Sequence, residues 1–74
     1  MPRIPILSGE AIVKILEKIG YFRTHQRGSH IRLKHKVRCA VTVPDYKTIS
    51  KGLFRKILRD AGLTVEEFIY LTGK

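Results

Sequence analysis

The chain has 74 residues, 43% of them hydrophobic, with one Cys and no Trp. So short a chain holds one hydrophobic core, so a single domain over residues 1–74 is expected, and the regularly spaced apolar residues exclude a disordered chain. Lys and Arg number 15 against 6 Asp and Glu, a formal charge of +9, which points to a polyanion as partner, nucleic acid before a membrane surface.

The membrane is disfavoured because no segment joins a basic face to a broad aromatic apolar face, and no apolar run reads as a signal peptide or a span. The lone Cys39 has no internal partner for a disulfide. A cytoplasmic protein is therefore the expectation.

In chain order, Pro2 and Pro5 keep the first residues extended. Ser8 then reads as an N-cap with Glu10 in the first turn. Ile12, Ile15, Leu16 and Ile19 follow at helical spacing, and Gly20 stops the helix. From Tyr21 the period becomes two, giving strands over Tyr21–Gln26, His30–His35 and Cys39–Val43, with turns at Arg27-Gly28 and Lys36-Val37-Arg38. Centring the first turn on Arg27-Gly28 pairs Gln26 with Ser29, His25 with His30, Thr24 with Ile31, Arg23 with Arg32 and Phe22 with Leu33. The second turn sets Leu33 opposite Val41 and Ile31 opposite Val43.

Pro44 ends the sheet, and Ile49 and Phe54 bracket Ser50 as a hydrophobic staple around an N-cap. A second helix follows with Leu53, Phe54, Ile57, Leu58 and Ala61 on its inner face and Gly62 as its C-cap. Thr64 to Glu67 is a capping box that opens a short last helix carrying Phe68 and Leu71 inward. The order α-β-β-β-α-α predicts an α+β two-layer fold. It is a three-stranded antiparallel sheet with helices on one face, of the double-stranded-RNA-binding-domain type.

In this register the face away from the helices carries Tyr21, Arg23, His25, His30, Arg32, Lys34, Ala40 and Thr42, with no carboxylate among them. Arg23 across from Arg32 destabilises the sheet unless an anion sits over it. A phosphate backbone supplies such an anion, and Tyr21 offers a ring on which a base can stack. Imidazole is the side-chain type that both accepts and donates a proton near neutrality, which makes His30 the residue with most to offer. Set beside a ribose 2′-OH, it can start an attack of that oxygen on the adjacent phosphorus without a metal. Arg32 and Lys34 would stabilise the phosphoryl oxygens, and Gly28 and Ser29 would offer backbone N–H groups and a hydroxyl.

Other chemistries fit less well. His25, His30, His35 and Cys39 are all zinc-ligand types, but His30 and His35 point to opposite faces and no C-x-x-C or H-x-x-x-H pair exists. A two-metal nuclease needs converging carboxylates, and only Asp45 lies near the sheet. Ser29, next to His30, points away from it, so no Ser-His couple forms. No cofactor or metal is expected. His35 opposite Cys39 on the helix side reads as a pair at the edge of the core, with Cys39 as a small hydrophobe. A non-catalytic RNA-binding module, or a basic face that docks an acidic protein, would use the same residues.

Several short strings occur in a fixed order: Gly20-Tyr21-Phe22, Gln26-Arg27-Gly28-Ser29-His30, Val41-Thr42-Val43-Pro44, Lys51-Gly52 and Ile57-Leu58-Arg59-Asp60-Ala61-Gly62-Leu63. In this order the chain, from Leu7 to Leu71, resembles the HicA (YcfA-like) toxin family. The resemblance implies a double-stranded-RNA-binding-like fold and cleavage of mRNA, with His30 of the Gly-Ser-His turn as the active-site residue. Arg23, Arg27, Gly28, Ser29, Arg32 and Lys34 are the expected RNA contacts. It also implies a HicB-like antitoxin as protein partner. Many members carry a histidine two residues after the proline that follows the third strand, where this chain has Tyr46.

Overall fold

The computed structural model describes residues 6–73, so the expectation for Pro2 and Pro5 lies outside the described residues. Six elements follow in order: α1 (Gly9–Glu17), β1 (Phe22–Arg27), β2 (His30–Lys34), β3 (Val41–Pro44), α2 (Lys51–Ala61) and α3 (Val65–Leu71). The strands form one antiparallel sheet in the order β1-β2-β3, with the helices against one face, the expected α+β arrangement. No helix among the described residues is long and apolar enough to cross a membrane.

Each helix begins where a side chain satisfies its first backbone donors. Ser8 Oγ accepts from the amide of Ala11 at 3.1 Å, and Ser50 Oγ from that of Leu53 at 3.3 Å. Thr64 and Glu67 form the reciprocal capping box, each side chain accepting from the other residue's amide. The C-terminal carbonyls are met by cations from elsewhere in the chain. Lys18 Nζ donates to the Leu71 carbonyl at 2.9 Å and Arg38 Nη1 to that of Ala61 at 2.8 Å.

One apolar cluster joins the layers: Ile12, Val13 and Leu16 of α1, Ile31, Leu33, Val41 and Val43 of the sheet, and Phe54, Ile57, Leu58 and Phe68 of α2 and α3. Phe54 meets Phe68 edge to face at 5.0 Å between ring centres. Gly9 is where α1 meets the end of β3. An ideal Cβ there would stand 1.9 Å from the Pro44 carbonyl oxygen, so only glycine lets the helix start this close.

The β2–β3 register is the expected one, with Leu33 opposite Val41 and Ile31 opposite Val43, although β3 begins at Val41 instead of Cys39. β1 is different. Arg27 pairs with His30, Gln26 with Ile31 and His25 with Arg32, and beyond an irregularity at Thr24, Arg23 pairs with Leu33 and Phe22 with Lys34. Two physical features produce the change. The two-residue turn is Gly28-Ser29, with Gly28 at φ 58° and Ser29 not at positive φ, the sign pattern of a type II′ turn, which wants glycine first. Thr24 is then an extra residue in β1, a β-bulge that reverses the facing of everything before it.

Tyr21 consequently leaves the open face and enters the core at 3% exposure, its hydroxyl donating to the Cys39 carbonyl at 2.8 Å. Burial raises its phenol above the ordinary range. His35 lies beyond the end of β2 and does not pair with Cys39, which is exposed. Its Nδ1 accepts from the amides of Val37 and Arg38, so Nε2 carries the proton toward the Ile19 carbonyl at 2.8 Å. The ring also packs edge-on against Tyr21. His35 thus organises the β2–β3 connection.

Candidate functional site

Alternation along β2 sends Ile31 and Leu33 into the core, so His30, Arg32 and Lys34 stand on the open face. Across from them on the same face stand Arg27, His25 and Phe22 of β1, and on the other flank Thr42 of β3. None of these strand residues is acidic. Arg32 is partly buried, and its Nη1 donates to Thr42 Oγ1 at 3.0 Å, which ties its guanidinium to the neighbouring strand. His30 is exposed at the first position of β2, directly after the turn.

The turn beside His30 is tied down from the other side. The amide of Asp45 donates to the Ser29 carbonyl at 2.5 Å, and the amide of Gly9 to the Tyr46 carbonyl at 2.9 Å. The start of α1, the exit of β3 and the Gly28-Ser29 turn therefore form one connected end of the molecule. No atom lies near the position a Cβ would take on Gly28, so its backbone is open to a ligand.

Of the expected RNA contacts, Arg27, Arg32 and Lys34 share the open face with His30, and Gly28 and Ser29 form the turn that leads into it. Arg23 does not belong with them. The bulge turns it to the helix side, where it pairs with Glu10 and lies 3.7 Å from Glu17. The bond to the guanidinium holds the Glu10 carboxyl below the usual carboxylate range. The expected repulsion between Arg23 and Arg32 is absent for the same reason, and His25 faces Arg32 instead of His30.

Tyr21 is replaced as the exposed aromatic by Phe22, half-exposed across from Lys34. Alternation read without the bulge put Phe22 inside. Two bulky residues in sequence, Tyr21-Phe22, give no signal for which faces the core. Ala40 lies outside β3 and is no part of the strand surface. Among the described residues no three His, Cys, Asp or Glu side chains gather as a metal site would require.

A chain from a toxin–antitoxin complex of Streptococcus pneumoniae is similar in structure, with a TM-score of 0.69 and 28% identity, over 77% of this chain and 98% of that one. No curated protein sequence matches significantly. The family model for the HicA toxin of bacterial toxin–antitoxin systems matches residues 9–63, from the first residue of α1 through the Gly62 cap of α2. Since that span covers all three strands and the turn that presents His30, the chain belongs to the HicA toxin family.

Proposed function

We propose that this protein is an endoribonuclease that cuts mRNA without a metal ion, using His30. The observation that carries the proposal is the exposed imidazole at the head of β2, on a sheet face whose other charged strand residues are all cationic. RNA brings its own nucleophile. His30 takes the proton of a ribose 2′-OH, the 2′ oxygen bonds to the adjacent phosphorus, and the bond from phosphorus to the 5′ oxygen breaks. The products are a 2′,3′-cyclic phosphate and a 5′-OH end. Arg27 and Arg32 are the cations nearest in the ladder and meet the charge that gathers on the phosphoryl oxygens. Lys34 and the N–H groups of Gly28 and Ser29 hold flanking phosphates.

The proposal includes a HicB-like antitoxin that covers this face, supported by the likeness to a chain from a toxin–antitoxin complex. It also has the protein act in the cytoplasm, where its substrate is. Product ends test the chemistry. In EDTA, a defined RNA should yield cyclic-phosphate ends, and the same RNA with a single 2′-deoxy sugar at the cut position should stay intact there. Cutting at the deoxy position would contradict the mechanism.

A further inference from the structure

Cleavage of this kind needs two proton transfers. If the open face cuts RNA as proposed above, His30 accounts for one of them and the second needs its own donor. The departing 5′ oxygen is a poor leaving group unless it is protonated as the bond breaks. The strand residues of the face offer few donors. Guanidinium and ammonium groups as a class hold their protons at neutral pH, a phenyl ring has none to give, and imidazole is the side chain that both gives and takes one there.

The face holds a second imidazole. The Gly28-Ser29 turn sets the register that puts His25 on the open side, where it pairs with Arg32 while His30 pairs with Arg27, and the Thr24 bulge sends Arg23 away toward α1. The two histidines are thus diagonal neighbours on adjacent strands, a relation that sets backbone positions about 7–8 Å apart and brings long or aromatic side chains within mutual reach. A phosphate between them would have one imidazole on each side and the guanidinium groups of Arg27 and Arg32 at the other two corners.

We propose that His25 is the general acid that protonates the departing 5′ oxygen as His30 takes the proton from the 2′-OH. The protons balance. His30 ends the step protonated and His25 neutral, and exchange with water restores both. Arg32, bonded to Thr42 beside His25, stabilises the phosphoryl oxygens in the same step.

The test uses an RNA whose cut bond, mapped first on unmodified RNA, carries a bridging sulfur in place of the 5′ oxygen, since a thiolate leaves without a proton. His25→Ala should cut ordinary RNA about 100-fold or more slowly, the usual scale of a lost general acid. It should cut the sulfur-bridged RNA within a few-fold of the unchanged protein, and His25→Asn should behave alike. His30→Ala should be slow on both. His25→Ala cutting ordinary RNA at the full rate, or equally slowed on both substrates, would overturn the assignment. A sulfur-rescued defect in Tyr46→Phe in its place would do the same. Absence of cleavage by the unchanged protein would overturn the ribonuclease reading itself, and this inference with it.

Discussion

The guanidinium of Arg32 is held to Thr42 and that of Arg23 to Glu10, so the two arginines do different work although both lie in strands of the same sheet. Arg32→Ala should weaken RNA binding and lower the slope of log affinity against log salt by about 1, the counterion signature of one lost phosphate contact. Arg23→Ala should leave that slope unchanged. Gel shifts at several salt concentrations, in a His30→Ala background so that RNA is not consumed, separate the two. Phe22→Ala should lower affinity for single-stranded RNA about tenfold, within the usual range for one base stacked on an aromatic ring, without changing the salt slope. At this scale His30 and its basic neighbours were legible in the sequence, because alternation along β2 is unbroken from Ile31 to Leu33. Arg23, Tyr21 and Phe22 were not, because their facing depends on a bulge that residue types alone do not mark.

Among the elements, the contact of α1 with the end of β3 sets the geometry beside His30. Gly9→Ala would drive a methyl group into the Pro44 carbonyl, so it should destabilise the protein by about 1–3 kcal/mol, the usual range for overpacking, seen as a lower midpoint in thermal unfolding. The pairing of β1 with α1 has a pH signature. The Glu10 carboxyl is held below its unfolded value, so its contribution is present above the ordinary carboxylate range and is lost as pH falls through the lowered value. The difference in stability between the wild type and Arg23→Gln should therefore shrink below pH 4.5 and also under high salt. A difference that grew on acidification would contradict the pairing. Helix ends and the β2–β3 register were readable because each rests on local chemistry: Ser8, Ser50 and the Thr64–Glu67 box at the caps, and alternating valines in β3. The β1 register was not, since Arg27-Gly28 and Gly28-Ser29 are both acceptable two-residue turns and differ only in where glycine sits.

For the whole molecule, the positive charge has several destinations. Lys18 and Arg38 cap helix ends, Arg23 and Lys56 pair with carboxylates, and Arg27, Arg32 and Lys34 stand on the open face with His25 and His30. Net charge read from the sequence pointed to a polyanion but not to which cations stand on the open face, because helix capping by Lys18 and Arg38 joins residues 53 and 23 positions apart. Family likeness supplied the toxin assignment, while the residues themselves supplied the basic face and its histidine. Cleavage of RNA through His30 is tested by the single-turnover rate on a defined RNA, in EDTA, for the wild type and for His30→Ala. His30 is exposed, so the variant should melt like the wild type, and its rate should fall by about 10²–10⁴-fold. Equal rates for the two proteins would contradict cleavage through His30.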